Sequence, residues 1–439
     1  MTALRTSPVG ESPRRFVIQR VSNETTCIIG GVRMAAGQQR VTTAEQPGRD
    51  RMSRLLMVLL AAAVGAAVAN RFYIEPLLGL VADEFGVSDA AAGLLVAGAN
   101  VGYVVGLVLL VPLGDLLERR RLVTVMLLLA GAVALGCAAA PALPVLALAL
   151  AGLAMMSVCA QILIPLAASL AGPDERGHVV GFVTSGLLIG TLSARTLSGF
   201  AAGLAGFRLI FVIAAALMAV LAVLLNRVLP PSPPARRSGY RALLGSVPAL
   251  VASEPELRRR MMLAFLQFAG FTVLWTPMAF LLTDPPYDYE ATTIGLFGLF
   301  GVAGAAVAPL AGRLGDRGHS GRTVTVSLAV ALASWGPLAL GGTSVAALVV
   351  GILLLDAGFQ GAHINHQRTV FALDPEARSR INTAYMLAFF LGGVAGSASA
   401  AFVYGAAGWS GICLLGAGLA AAALAVWWIT APRGAATPS

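Results

Sequence analysis

Long apolar runs, separated by short polar segments, make up most of this chain. A run of about 18 or more apolar residues can cross the roughly 30 Å hydrocarbon core of a bilayer as a helix. The runs are too continuous for the alternating strands of a membrane barrel. The pattern therefore predicts an all-α membrane protein with twelve transmembrane helices, at residues 55–80, 90–112, 122–140, 144–171, 179–203, 208–229, 261–282, 292–312, 323–340, 344–371, 381–404 and 409–431.

The polar segments between the runs differ in charge. Two of the segments without arginine, 81–89 and 283–291, hold three acidic residues each. Fifteen arginines lie in alternate linkers, at 113–121, 172–178, 230–260, 313–322 and 372–380. Because basic loops stay on the cytoplasmic side of a membrane, these linkers are predicted to be cytoplasmic. The sequence therefore predicts a multi-pass protein of the cytoplasmic membrane with both termini in the cytoplasm.

The two halves of the chain repeat each other. The loop sequence PLGDLLERRR at 112–121 returns as PLAGRLGDRGHSGR at 309–322, which sets Asp115 and Asp316 201 residues apart. Gly206 and Gly408 recur at a spacing of 202. A duplication predicts two pseudo-symmetric six-helix halves, 52–229 and 261–431, joined by a cytoplasmic linker at 230–260 and followed by a cytoplasmic tail at 432–439.

Residues 1–51 are polar and rich in arginine, and we expect a disordered extension there. Met52 offers an alternative start, and the sequence after it also has features of a secretory signal peptide. Cleavage after Ala69 would leave the two halves with unequal numbers of helices, which disfavours that alternative.

Composition narrows the function further. Hydrophobic residues make up 57% of the chain and charged residues 12%, and the mean hydropathy is +0.82, which excludes a soluble domain. The net charge of +9 follows from the loop arginines, so no nucleic-acid partner is expected. The four cysteines are scattered, and no phosphate-binding glycine loop is present, so we expect no metal, nucleotide or other cofactor.

The repeated loop resembles the motif G-x-x-x-D-R-x-G-R-R of the major facilitator superfamily. With the loop position, the spans and the repeat, the chain looks like a member of that superfamily. The resemblance implies a gate on the cytoplasmic side that opens and closes as the two halves rock. Simple anchoring of the loops by solvated arginines is the alternative. The implied gate residues are Asp115, Arg119 and Arg120 in the first copy and Gly312, Asp316, Arg317 and Arg322 in the second.

Three further segments resemble a drug-efflux-like branch of that superfamily, the drug:proton antiporters. The branch has Y-Y-N-Q-P-L-L on helix 1, L-D-x-G-x-Q on helix 10 and L-D-P-E-A-R-S-R-x-N after helix 10. The corresponding segments here are FYIEPLL at 72–78, LDAGFQ at 355–360 and LDPEARSRIN at 373–382. The first segment departs from the branch at Ile74 and Glu75.

Charged residues inside a span are costly, at about 2.5–3.5 kcal/mol each, and are candidates for function. Arg71 and Glu75 stand four residues apart on helix 1 and can pair with each other, or Glu75 can carry protons. Asn70 precedes them and is assigned to the same cavity. Arg195 is alone on helix 5, where it can bind an anionic substrate or pair with a carboxylate such as Glu75.

Helix 10 carries a polar stripe. Asp356, Gln360, His363 and Gln367 fall on one helical face, which predicts the wall of a water-filled path or a tight network between helices. Asp356 is the preferred proton-coupling residue, and a structural carboxyl bonded to helix 11 is the alternative. His363 can relay protons near neutral pH.

Gln161 on helix 4 and Gln267 with Trp275 on helix 7 complete the predicted cavity. Hydrogen-bonding groups beside aromatic rings suit an amphipathic organic solute. Core packing is the alternative for Trp275.

Together these features predict a secondary active transporter that works by alternating access, with proton-coupled efflux of drug-like or metabolite compounds as the preferred activity. The expected partners are a small-molecule substrate, protons and the lipid bilayer, and a monomer is expected. Proton-coupled uptake of a nutrient is the alternative within the class. A multispan membrane enzyme or a sensor is the alternative outside the class.

Overall fold

A computed structural model of the chain describes residues 52–172, 175–231, 240–374 and 378–430. The predicted N-terminal extension at 1–51 and the predicted tail at 432–439 lie outside the described residues. Side chains at a few positions inside helices also lie outside the description, among them those of Asp115 and Asp316.

Both halves of the described chain, and the part of the linker between them that is described, are built from helices. The first half contains α1 (Arg54–Phe72), α2 (Leu78–Phe85), α3 (Asp89–Leu109), α4 (Leu113–Leu116), α5 (Arg119–Ala138), α6 (Leu143–Ser157), α7 (Cys159–Leu170), α8 (Arg176–Ala205) and α9 (Arg208–Val228). The predicted linker contains α10 (Tyr240–Ser253). The second half contains α11 (Pro255–Trp275), α12 (Met278–Thr283), α13 (Ala291–Leu296), α14 (Val302–Leu314), α15 (Ser320–Ala333), α16 (Trp335–Leu340), α17 (Val345–Leu373) and α18 (Arg378–Ile429).

The all-helical membrane fold is confirmed, but the count of twelve spans is not. Within the described residues, ten helical segments are long and apolar enough to cross a membrane. The predicted span 292–312 is instead divided into α13, a 3-10 helix at Phe297–Gly301, and α14. The last two predicted spans form one helical segment, Arg380–Ile429, in which the backbone leaves helical geometry only at Gly408.

The internal repeat is visible in the backbone. The first span breaks after α1 and continues through a 3-10 helix at Glu75–Leu77, which contains Pro76. The equivalent segment of the second half breaks between α11 and α12, at Pro277. Gly206 and Gly408 both have positive φ, 73° and 57°, where one long helix ends and the next begins. Equivalent breaks at equivalent positions support the duplication that the loop sequence indicated.

Glycines let α1 and α8 approach until their backbones touch. A Cβ on Gly186 would overlap the carbonyl oxygen of Ala61, and a Cβ on Gly190 would overlap that of Gly65. The second half repeats this contact between α11 and α18, at Gly392 and Gly396. Close backbone contact between small residues is the main source of tight helix association in lipid.

This contact predicts a difference between two identical substitutions on α8. We expect Gly190→Ala to lower the free energy of unfolding by about 1–3 kcal/mol, because the new methyl group meets backbone that cannot yield. Gly181→Ala is the control, since a Cβ there meets nothing within 4 Å. Thermal unfolding in detergent micelles measures both variants. Equal stability of the two would contradict the close contact.

The two halves are in contact at the end of the bundle that carries Gly86 and Asp288. There Thr196 on α8 donates a hydrogen bond to the carbonyl oxygen of Gly295 on α13, at 3.1 Å. A Cβ on Gly295 would lie 2.6 Å from the carbonyl oxygen of Arg195. At the opposite end, a Cβ on Gly177 of α8 or on Gly312 of α14 would meet nothing within 4 Å. The halves are therefore closed together at the Gly86 end.

Candidate functional site

A buried ion pair lies where the first span is broken. Glu75 opens the 3-10 helix after α1, and Arg195 lies on α8, 120 positions further along the chain. The Nε and Nη2 atoms of Arg195 both lie 2.7 Å from Oε2 of Glu75. The side chains are 4% and 6% exposed. Of the two pairings that the sequence offered for Glu75, the structure has the one across helices.

Aromatic rings cover the guanidinium of Arg195. Its Cζ lies 4.0 Å from the ring centroid of Trp275 on α11 and 4.8 Å from that of Phe72 on α1. Rings from both halves thus exclude lipid and water from the pair, which strengthens its electrostatic attraction. Trp275 therefore contacts the charged centre itself.

A glycine-rich stretch makes room for this centre. A Cβ on Gly298 would lie 2.7 Å from Cβ of Arg195, and a Cβ on Gly301 would lie 3.2 Å from Oδ2 of Asp356. Both glycines belong to the 3-10 helix Phe297–Gly301. One short stretch of backbone therefore touches the arginine of the first half and the aspartate of the second.

Asp356 on α17 is the third charged member of the centre. Its side chain is buried, with 4% of the residue exposed, and Oδ1 has no hydrogen-bond partner among the described residues. The carboxyl lies in the electrostatic field of Arg195 and next to Trp275. The structure thus brings Glu75, Arg195, Asp356 and Trp275 together in the region between the halves.

Arg71 does not pair with Glu75, which corrects the other pairing that the sequence offered. Its Nε and Nη2 atoms donate to Oδ1 of Asn100, at 3.0 and 2.7 Å. Asn100 Nδ2 in turn donates to the carbonyl oxygen of Gly393 and to Oγ of Ser397, both at 3.3 Å. Arg71 bonds instead to a polar chain that runs from α1 through α3 to α18.

Of the four residues in the predicted helix 10 stripe, Asp356 belongs to this centre and Gln360 lies one turn away from it. His363 and Gln367 lie further along α17. Gln360 packs against α14, where a Cβ on Gly304 would lie 2.9 Å from Cγ of Gln360. His363 stacks on Phe359 and its Nδ1 lies 3.1 Å from the hydroxyl oxygen of Tyr385. Gln367 is half-buried, further along α17.

His366 belongs to a separate buried cluster. Its Nδ1 accepts a hydrogen bond from Nη1 of Arg260 at 2.8 Å, and Nε of Arg260 donates to Oε1 of Glu256 at 2.6 Å. This cluster lies at the start of α11 and not on the stripe that the sequence predicted.

Three predicted lining residues lie outside the charged centre. The Nδ2 of Asn70 donates to the sulfur of Met218, and Nε2 of Gln161 donates to the Tyr103 hydroxyl oxygen at 3.3 Å. Gln267 lines a small cavity of the second half, beside Trp335 and Ala423. Asn70 and Gln161 therefore bond within the first half, whereas neither amide atom of Gln267 has a hydrogen-bond partner among the described residues.

The predicted gate is only partly described. The two aspartate side chains lie outside the description, and Arg317 and Arg322 are exposed. Arg119 donates to the carbonyl oxygen of Gly114 at 2.9 Å, and Arg368 donates to that of Gly312 at 2.8 Å. Arg120 donates to Oδ1 of Asn226 at 3.3 Å. Each of these three hydrogen bonds joins groups of the same half.

Sequence reasoning missed Asn100 and Ser397. Both are small neutral polar residues in apolar runs, and their bonds join positions 293 to 297 residues apart. A single asparagine inside the run AGANVGYV was the one available signal. It gave no information about a partner.

Comparisons with known proteins identify the family to which this fold belongs. The sequence model of the Major Facilitator Superfamily matches residues 60–372. The chain is 47% identical over 377 residues to YgaY of Escherichia coli K12, a putative uncharacterized transporter; the match covers 86% of this chain and 96% of YgaY. It is 37% identical over 362 residues to the probable transporter SCO4007 of Streptomyces coelicolor, over 82% of this chain and 84% of that protein.

A solved structure agrees in fold. The bacterial homolog of the human lysosomal transporter Spinster, in its inward-facing and occupied conformation, superposes with a TM-score of 0.70. The match covers 85% of this chain and 96% of that protein at 15% identity, so it speaks for the fold alone.

Proposed function

This chain belongs to the major facilitator superfamily, and we propose that it is a proton-coupled exporter of small organic solutes in the cytoplasmic membrane. The observation that carries the proposal is the buried carboxyl of Asp356, whose Oδ1 has no hydrogen-bond partner among the described residues and which lies in the electrostatic field of Arg195, the partner of Glu75. In this proposal both termini are cytoplasmic, and the transporter acts as a monomer without a cofactor. Membership of a transporter family argues against an enzyme.

The contacts between the halves support alternating access. The halves meet through α8 and α13 at the Gly86 end, and the glycines at the opposite end have open space around them. With the orientation predicted from the arginine-bearing loops, this arrangement corresponds to an inward-facing state. The Spinster homolog that resembles the chain in fold was also captured facing inward.

The charged centre supports the coupling role. Arg195 donates to Glu75, its one side-chain hydrogen-bond partner among the described residues, and its charge also acts on the carboxyl of Asp356. When Asp356 loses its proton, it becomes a second anionic partner for the same guanidinium. Protonation of Asp356 therefore changes the number of negative charges near Arg195 from two to one. Since Arg195 is on α8 and Asp356 is on α17, protonation would change the electrostatic attraction between these two helices.

The repeated loops complete the proposed cycle. Their arginines lie at the end of the bundle opposite Gly86, where Arg119 donates to the carbonyl oxygen of Gly114 and Arg368 donates to that of Gly312. Closure of that end would bring the loops of the two halves together. We assign the gate role to the predicted loop residues on this basis.

The experiment uses everted membrane vesicles from cells that express the full chain. A growth screen against many compounds first selects one to which expression gives resistance. We expect energised vesicles to accumulate that compound and a protonophore to abolish accumulation, because the proton gradient supplies the energy. Vesicles without the protein are the control. Accumulation that survives the protonophore would contradict proton coupling, and accumulation only by right-side-out vesicles would contradict export.

A further inference from the structure

We propose that Arg71 and the four aromatic rings around it bind the anionic group of an aromatic organic acid. The site would define the class of solute that the proposed exporter carries, so its biological role rests on the proposed function. The binding chemistry itself depends only on the residues that surround Arg71.

Arg71 has no carboxylate bonded to it in the described structure. It is buried, with 9% of its surface exposed, and its nearest acid, Glu75, is bonded to Arg195. A buried arginine without an anionic partner is costly inside a membrane. An arginine that keeps this position is therefore well placed to accept an anion from outside the chain.

The guanidinium also has donors left over. Of its five N–H groups, one on Nε and one on Nη2 donate to the single oxygen of Asn100. No acceptor for Nη1 is found among the described residues, yet Nη1 is not among the fully buried atoms that lack a partner. It therefore retains access to open space and can donate to an incoming oxygen.

Asn100 occupies the place that a carboxylate oxygen would take. A carboxylate binds a guanidinium through two parallel hydrogen bonds between opposite charges, whereas the Asn100 oxygen is a single neutral acceptor. An organic acid can therefore displace the amide oxygen or add to it through Nη1. A neutral or cationic compound has no such advantage.

Four rings from four helices enclose the guanidinium. Its Cζ lies 4.8 Å from the ring centroid of Phe72, 4.9 Å from Phe390, 5.2 Å from Phe268 and 5.6 Å from Tyr103. The first and last belong to the first half and the others to the second half. The site thus lies at the junction that must change when the halves move.

An aromatic wall continues from this box into the second half. Phe268 and Phe389 are stacked with centroids 3.9 Å apart, and Phe271 and Phe359 are stacked at 4.6 Å. Flat rings favour offset stacking with another aromatic body. The wall therefore fits the planar part of an acid whose charged group lies on Arg71.

Binding would also reach the contact between the halves. Asn100 holds Arg71 through Oδ1 and holds Gly393 and Ser397 of α18 through Nδ2. An anion that takes over the Arg71 donors frees one end of this chain. Asn100 would then no longer be bonded to α1, although it would remain bonded to α18.

The test measures binding of 2-naphthoate to the purified full chain in detergent, against 2-naphthamide and 2-naphthylmethylamine, which share its ring system. We expect naphthoate to bind at least about tenfold more tightly than the other two, because only the acid carries a negative charge that can pair with the guanidinium. Absence of naphthoate binding, or preference for the amine, would overturn the proposal.

Two variants and a control identify the residue. Arg71→Gln should weaken naphthoate binding about tenfold or more. Arg121→Gln removes the same charge from a side chain that is 85% exposed and should bind as the wild type does. Asn100→Ala keeps Arg71 but removes its internal acceptor, so naphthoate should bind several-fold more tightly. Unchanged or weaker binding by Asn100→Ala would sink the proposal even where Arg71→Gln does not fold.

The binding measurement needs no proton gradient, so its failure is separate from failure of the proposed function. If the protein binds naphthoate but its transport is insensitive to protonophores, the binding site is supported and proton-coupled export is contradicted. If the protein exports its solute with protons but does not bind naphthoate, export is supported and the binding site is contradicted.

Discussion

Asp356→Asn should abolish proton-driven accumulation in everted vesicles while the protein remains folded and inserted. Asparagine keeps the size of aspartate and one of its two oxygens, but it cannot gain or lose a proton. The variant therefore fixes the carboxyl position in one electrostatic state beside Arg195. A transporter that can no longer alternate between protonation states loses the link between the gradient and the solute.

Exchange of labelled for unlabelled solute separates this effect from simple damage. Exchange without a gradient requires the halves to rock but requires no proton to be released, so Asp356→Asn should retain it. Asp83→Asn, at an exposed carboxyl near Gly86, is the matched control and should keep full accumulation. Normal gradient-driven accumulation by Asp356→Asn would show that the proton is carried elsewhere.

Removing one member of the Glu75–Arg195 pair should cost far more stability than removing both. Both side chains are nearly inaccessible, and the pair is covered by Trp275 and Phe72. Arg195→Gln leaves a buried carboxylate and Glu75→Gln leaves a buried guanidinium. Losing one partner of such a pair costs about 3–5 kcal/mol, whereas the doubly neutral variant avoids the uncompensated charge.

Unfolding of the two single variants and the double variant in detergent micelles gives the coupling energy as a double-mutant cycle. The exposed pair of Arg208 and Glu84 supplies the control, because its side chains are 36% and 45% exposed. We expect Glu84→Gln to cost less than about 1 kcal/mol. If the losses in Glu75→Gln and Arg195→Gln simply add in the double variant, the pair contributes no interaction energy and its central role is refuted.

Much of the architecture could be predicted from local sequence. The duplicated loop indicated two related halves, and the structure repeats the helix break at Pro76 and Pro277 and the positive φ at Gly206 and Gly408. The helix α11 begins at Pro255, six residues before the predicted apolar span 261–282, and Arg259 and Arg260 both donate to Glu256 on its first turns.

The candidate site was predictable only as a set of residue types. Glu75, Arg195 and Asp356 stood out because charge is rare in an apolar run, and the structure brings these three together. The partner of Arg71 was not predictable, since Asn100 is uncharged and lies on another helix. The roles of these residues in transport stay predictions.

What the sequence determined by itself is the helical membrane fold and its two-fold repeat. In lipid each helix must satisfy its own backbone groups, so a local apolar run is enough to specify a span. The tertiary structure alone decided that Glu75 bonds to Arg195, that Arg71 bonds to Asn100, and that Gly298 and Gly301 lie against the charged centre. These contacts depend on which helix faces come together, and small residues set that approach through packing between segments far apart in the chain.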